Sequence, residues 1–291
     1  MNVTLIDAPT SERARLVGAM DGYLRALAAR DPGLLRLTPD FRCTEDSQPL
    51  PLGSGVWRTV RGVRPGGQYF VDEQAGQVEF WGVVDEMGQD AIISIRLKVE
   101  GRVISEVETI VTRKQGEYFD PPVILQDASS GFHRTLPRGE RSSRAELVRA
   151  ANLYFDAIEL SAGDLVPLFG DCRRLVNGTL DSLDDPASLP ADGQYRALDV
   201  AQQISDGHYA YIEALRERRF PVIDEARGLV VCHLLFDHPG DLPRAGGSIP
   251  FGWPNSMLFT EVFKVVGGAI EEVWALGTAS LPYGCRSGWP I

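Results

Sequence analysis

Residues 71–85, VDEQAGQVEFWGVVD, return at 223–237 as IDEARGLVVCHLLFD. Five of the fifteen positions are identical (Asp72/Asp224, Glu73/Glu225, Gly76/Gly228, Val78/Val230 and Asp85/Asp237), where ordinary composition gives roughly one. Most of the others exchange one apolar residue for another. A second pair, YLRALAARD from position 23 and YFDAIELSAGD from position 154, sets Tyr, Ala and an aliphatic residue at the same helical spacing. Such a chain is constrained to fold as two related modules, and Trp81 against His233 marks a point where the copies have diverged.

The order of elements points to an α+β fold. SERARLVGAMDGYLRALAARDP (11–32) keeps its apolar residues on one helical face and stops at Pro32. GLLRL (33–37) reads as a short second helix or turn, and DFRCTEDSQPLPLG as a first strand and loop. Four β-rich runs follow (QYFVDE, GQVEFWGVVDE, DAIISIRLKVEG and RVISEVETIVTRK), separated by turn signals. Helices first and a meander afterwards favour α+β over a wound parallel sheet. Residues 115–142 mix Pro, Gly, Ser and charge without periodicity and read as a linker, giving units at 1–114 and 143–291. The second unit restarts with a helix opening on Ser143-x-x-Glu146, then GDLVPLFGDC as a short helix and RRLVNG as a strand. The offset between copies grows from 131 residues at the tyrosines to 152 at the strands, and the extra length includes an expected helix over 195–215. A second insertion, 238–256, lengthens one strand connection.

Composition excludes several function classes. The net charge is −11 and no basic run exceeds RERR (216–219), so no nucleic-acid partner is expected. No apolar run approaches the about 20 residues of a bilayer helix, and MNVTLIDAPTSERARL lacks the basic start and apolar core of a signal peptide. No membrane association and a cytoplasmic location are the corresponding expectations. Four scattered cysteines, with no Cys-x-x-Cys and no histidine at ligand spacing, indicate neither a metal nor a disulfide framework. GSG, RPGG and RAGG do not sit between a strand and a helix, so no nucleotide or other cofactor is expected.

YLRALAARDPGLLRLTPDFRCTED in the first half and YFDAIELSAGDLVPLFGDCRRLVNG in the second resemble the nuclear transport factor 2-like superfamily, which includes ketosteroid isomerase and the SnoaL-like polyketide cyclases. In both halves a Tyr-bearing helix, a second helix and an Asp before the first strand recur ahead of the meander. The resemblance covers about 100 residues of the first half and about 130 of the second. It implies two tandem cone-shaped α+β barrels, each a curved, mostly antiparallel sheet around helices with an apolar cavity. Cones of this kind associate through their sheets, so the two halves are expected to form an internal pseudo-dimer within a monomer or homodimer.

Ketosteroid isomerase combines an Asp base, a Tyr donor and a protonated Asp in an apolar pocket. Carried over residue by residue, the resemblance sets Tyr23 on the donor and Glu45 on the base, with Ser94 or Ile95 at the third position, where no acid stands. In the second half Tyr154 takes the donor position and Glu261 the protonated acid, while the base position falls on Val176 or Asn177. Neither half holds the full set. His233, an imidazole on an otherwise apolar strand, is a further candidate base; Asp237 lies about 13 Å along the strand, too far to orient it. Trp57, Trp81 and Tyr209, with Phe80, Trp253 and Phe259, are candidates for lining a ligand pocket, although aromatics at strand spacing also serve as plain core. The catalytic set expected is therefore Glu45, Tyr23 and His233, and the substrate-binding set Trp57, Trp81, Tyr154, Asn177, Tyr209 and Glu261. The expected function is a cofactor-independent acid–base enzyme (isomerase, dehydratase or other lyase) acting on a small apolar, aromatic or polyketide-like molecule. The alternative is a small-molecule binding protein without turnover.

Overall fold

Each unit begins with a helix whose ends the local sequence specifies. In the computed structural model, which describes residues 11–114, 118–126, 131–245 and 247–290, α1 (Glu12–Ala29) starts at Ser11, whose hydroxyl accepts from the Ala14 N–H. The first ten residues, read above for a targeting signal, and linker positions 115–117 and 127–130 lie outside the described residues. Its counterpart α4 (Arg144–Leu160) opens with the expected capping box of Ser143 and Glu146. Both helices close on a left-handed residue, Arg30 (φ 54°) and Ser161 (φ 51°), again 131 positions apart. Among the described residues no helix is long and apolar enough to cross a membrane.

In the first unit β1 (Leu37–Glu45), β2 (Gln48–Pro49), α2 (Val56–Thr59), β3 (Val60–Val63), β4 (Gln68–Asp72), β5 (Gln77–Glu86), β6 (Gln89–Glu100) and β7 (Val103–Thr112) follow α1. They form one sheet ordered β2-β1-β7-β6-β5-β3, with β4 also paired to β5 and only β1–β7 parallel. A short helix, α3 (Pro121–Leu125), precedes α4. The second unit supplies β8 (Leu168–Val176), β9 (Thr179–Leu180), α5 (Val200–Ser205), β10 (Ala214–Asp224), β11 (Leu229–His238), β12 (Asn255–Val266) and β13 (Ala269–Leu281), ordered β10-β11-β12-β13-β8-β9. Both sheets are open, ending on short or irregular edge strands, so the cones are not closed barrels.

Two sequence expectations change. The stretch 168–172 is strand, because its backbone pairs in parallel with β13 from Ile270 onward. The helix expected over 195–215 is broken into a 3-10 turn over Ala191–Ala197, the six-residue α5, and turns that end at β10, with Gly207 at φ 73° closing α5. In the first unit the same connection is reduced to the four-residue α2.

The period of two along the strands sorts side chains between two cores. On β11, Val230, Cys232, Leu234 and Phe236 face α4 within the second cone. Leu229 and Val231 point the other way, into a cluster shared with Phe70, Trp81, Val83 and Ile92 of the first sheet. The two sheets therefore pack back to back, and Trp81 and His233, both fully buried, lie on this shared face. The stretch between the units joins it, contributing Ile124 and Phe132. The carbonyls of Phe132, Arg134 and Arg227 all accept from the buried Lys264 ammonium. The C-terminal tail reaches back to the first sheet, where Trp289 donates to Thr44 Oγ1 at 2.9 Å with the Arg42 and Arg96 guanidinium groups over its ring.

Two of the repeated acids explain their own recurrence. Asp72 of the first unit receives Arg144 Nη2 at 2.7 Å and the Ile223 N–H at 3.0 Å from the second. Asp224 of the second unit receives Arg13 of the first. Residue i meets j while its copy of j meets its copy of i, the reciprocity of a two-fold interface carried inside one chain. Asp72 is 1% exposed, so its removal strips partners from a backbone N–H and from a guanidinium that water only partly reaches. D72A is expected to lower the unfolding free energy by about 3 kcal/mol, against under about 0.5 kcal/mol for the more exposed E73A. Urea melts check this, and a D72A loss below about 1 kcal/mol contradicts it.

Candidate functional site

Strand register aligns the two interiors without reference to sequence similarity. Ile95 opposes Thr109 and Glu45 opposes the same Thr109, while Glu261 and Val176 both oppose Ala275. Ile95 and Glu261 are thus equivalent, as are Glu45 and Val176, and two residues earlier Cys43 and Arg174. Tyr23 and Tyr154 hold matching helical positions.

The first cone is packed with its own side chains. Trp57 donates to the Tyr23 hydroxyl at 3.0 Å and meets its ring edge-on at 5.4 Å. Phe80, Val84, Ile93 and Ile95 complete this core. Burial raises the Tyr23 hydroxyl far above its ordinary range. Glu45 accepts the Val56 N–H at 2.8 Å, which starts α2; burial raises its carboxyl, and that hydrogen bond opposes the rise. Gly55 (φ 61°) is required beside it, because a Cβ there would lie 2.2 Å from the Glu45 carboxylate.

The second cone opens into a cavity of about 250 Å³, walled by Arg174, Asp181, Tyr209, Tyr211, Phe236 and Phe259. Asn177 also lines it, at φ 49°, with its side-chain oxygen accepting the Gly277 N–H at 2.9 Å. Thr112 and Arg113 of the first unit and Tyr118 of the connecting stretch also line it, and the inserted 238–256 connection contributes Arg244 and Phe251. Fully buried Gln203 organises the wall, donating to the Asp181 and Tyr195 carbonyls and accepting from the Tyr209 hydroxyl at 3.1 Å. This is what the broken helix achieves: α5 and the turns after it hold polar and aromatic groups toward the cavity, which one continuous helix could not present together.

Arg174 and Asp181, which line this cavity, belong to a buried polar cluster with Tyr154 and Glu261, which do not line it. Arg174, 5% exposed, donates to the Tyr209 hydroxyl and lies 3.5 Å from Asp181, but its Nε has no partner. Tyr154 is fully buried with its hydroxyl unpartnered, and Glu261, at 0% exposure, has no partner for either carboxyl oxygen. Burial pushes the Glu261 carboxyl up to about 7 while the nearby Arg174 charge holds it from rising further. Burial works against the Arg174 cation, yet Tyr154, Asp181 and Glu261 around it raise its pKa above the ordinary arginine value. Burial, with Arg174 and Arg244 close by, lowers His208 to about 3, and burial lowers His238 to about 4. Neither imidazole is a base held half-protonated at neutral pH; Glu261 is.

Of the sequence-derived site residues, Tyr154, Asn177, Tyr209 and Glu261 come together in the second cone. Tyr23, Trp57 and Glu45 lie in the first. Trp81 and His233 lie between the sheets, where Trp81 donates to Glu79 Oε1 at 2.7 Å and His233 Nε2 lies 2.8 Å from Glu79 Oε2. Sequence reasoning missed Arg174, Asp181 and Arg244. A usable signal existed for Arg174, since the 131-residue offset of the tyrosines sets it against Cys43 on an inward-facing strand position.

A family model described as a domain of unknown function (DUF8021) matches residues 140–277. A comparison with curated proteins finds no match. Among solved structures the chain is similar to an NTF-2 like protein of unknown function from Burkholderia xenovorans LB400, at 10% identity over 36% of this chain and 89% of that one (TM-score 0.30). It is also similar to a protein of unknown function with cystatin-like fold from Methylobium petroleophilum PM1, at 12% identity over 50% and 84% (TM-score 0.31). AusH from Aspergillus nidulans is similar at 15% identity over 47% and 86% (TM-score 0.30). The helix-first order and the mostly antiparallel sheet of each unit are those the sequence resemblance implies. Both units share one α+β architecture, a leading helix and a mostly antiparallel sheet. The pair is a tandem duplication whose second copy carries the cavity just described.

Glu261 carries a stability signature. Its folded pKa of about 7 exceeds the ordinary carboxyl value of 4.5, so the folded state holds the extra proton between those values. Its contribution is complete below about pH 4.5 and is lost as pH rises through about 7. E261Q keeps the shape without the titration. Relative to wild type, its unfolding free energy is expected to rise by about 3 kcal/mol between pH 5 and pH 8, measured by denaturant melts; a pH-independent difference contradicts the assignment.

Proposed function

We propose that the second NTF2-like unit is a cofactor-independent acid–base enzyme acting on a small ring-bearing carbonyl or hydroxyl compound. The observation that carries this reading is the grouping of the Arg174 Nε, the Tyr154 hydroxyl and the Glu261 carboxyl, all buried and unpartnered. The matching positions of the first cone are Cys43, a tyrosine satisfied by Trp57, and Ile95. A buried polar group without a partner costs roughly 1–3 kcal/mol, and one copy of the duplication avoids that cost while the other keeps it three times over in a cluster that meets the cavity at Arg174.

In this reading the Glu261 carboxylate takes a proton from the carbon beside a carbonyl. The negative charge that develops on the carbonyl oxygen is met by the Arg174 Nε–H and the Tyr154 hydroxyl. Return of the proton to a different carbon gives isomerisation, and loss of a neighbouring hydroxyl as water gives dehydration. Glu261 stands two residues along β12 from Phe259, which lines the cavity while Glu261 does not, so this reading requires the Phe259 ring to move aside for the reacting carbon to reach the carboxylate. A binding protein without turnover is the second reading, favoured by the complete enclosure of Glu261.

Exchange of the α-protons of 2-tetralone in D2O, followed by NMR, separates the two. Wild-type protein is expected to accelerate exchange, with the rate rising through about pH 7 as Glu261 ionises, and E261Q to lose about 100-fold or more. Exchange that E261Q leaves unchanged removes Glu261 as the base, and 2-tetralone binding without exchange in either protein supports the binding reading.

A further inference from the structure

We infer that the cavity of the second unit selects an anionic ring compound, a planar molecule bearing a carboxylate, with the acid group received by Arg244 and Arg174. This deepens the functional reading and rests on the same cavity. Among the described residues three arginines line it, Arg113, Arg174 and Arg244, against one carboxylate, Asp181. Arg113 is already neutralised, because its Nε and Nη2 meet both oxygens of Glu86 at 2.6 and 2.8 Å. Arg174 is compensated only loosely, with Asp181 at 3.5 Å and its buried Nε unpartnered. Among the described residues Arg244 forms no ion pair; its Nε donates to the Ser248 hydroxyl at 2.7 Å and its guanidinium lies 5.3 Å over the Tyr195 ring.

The charge of the whole molecule makes this arrangement informative. In a chain of net charge −11, this chamber holds Arg244 without an ion pair among the described residues and Arg174 only loosely paired. Their field reaches the wall, since His208 is driven down to about 3 by burial together with Arg174 and Arg244. The flat surfaces are also prepared: His208 stacks on Tyr195 at 3.7 Å and 19°, and Tyr211 stacks on His238 at 5.0 Å and 12°. Aromatic faces hold the ring, and a guanidinium fork matches a carboxylate more strongly than it matches a neutral oxygen.

Calorimetric titration of the full chain with 2-naphthoate and with its methyl ester tests this. The acid is expected to bind about tenfold or more tighter than the ester, and added salt is expected to narrow the gap. R244Q is expected to weaken the acid about tenfold and leave the ester unchanged, whereas R61Q, an exposed arginine of the first unit, leaves both unchanged. Equal affinity for acid and ester, or no binding of the acid, overturns the inference. E261Q separates this from the proton-transfer reading, because it is expected to keep the preference for the acid while losing α-proton exchange. Loss of exchange with the preference intact supports both claims, and exchange without the preference overturns only this one.

Discussion

The structure depends on an imidazole held between two carboxylates in the dry space where the sheets meet. His233 of the second unit, fully buried, lies with Nε2 2.8 Å from Glu79 and Nδ1 3.2 Å from Glu108, both on the first sheet. Burial alone would drive a proton off the imidazole, but the Glu79 and Glu108 charges outweigh it and raise its pKa. Burial likewise opposes ionisation of Glu79 and Glu108, and His233, with Arg219 beside Glu108, pulls both below the usual carboxyl value. Arg96 and Arg219 complete the set on Glu108, and Ser94, Thr260 and Trp81 donate to the remaining Glu79 oxygen. Because the pairs cross from one unit to the other, separating the units would strand charges in apolar surroundings, at several kcal/mol for a broken buried pair.

This lock explains the exchange of Trp81 for His233. At the same position of the repeat, one copy uses the indole to donate to Glu79 while the other uses the imidazole to meet the same carboxylate from across the interface. The asymmetry turns two similar faces into one complementary pair. With association built into the chain, the cones were free to diverge. The first filled its interior with the Tyr23–Trp57 pair and its aliphatic neighbours. The second kept a cavity lined in part by Thr112 and Arg113 of the first, so the packed unit serves as part of the wall of the open one.

Much of this was legible in the sequence. The duplication, the α+β order, the Ser143 capping box and the strand runs from 77 to 112 correspond to physical signals that stay local: caps, turn residues and period-two alternation. The broken helix at 195–215 was not legible, because its apolar spacing permits a helix, whereas the buried Gln203 side chain ties Tyr195 and Tyr209 on either side of α5 to Asp181 outside the stretch. Period two places His233 opposite Cys232 but does not say which face meets the helix and which meets another sheet. The cluster around Glu261 was visible only in part. Tyr154 and Glu261 follow from the resemblance, whereas Arg174 needed the two cones to be compared strand by strand.

The most direct measurement of the interface is the titration of the His233 ring by nitrogen-15 NMR, assigned through an H233Q variant. The account predicts an imidazolium with both ring nitrogens protonated and a midpoint above that of an exposed histidine peptide in the same buffer. A midpoint at or below that of the peptide would mean that the carboxylates of the first sheet do not hold a charge on the second, and would contradict it.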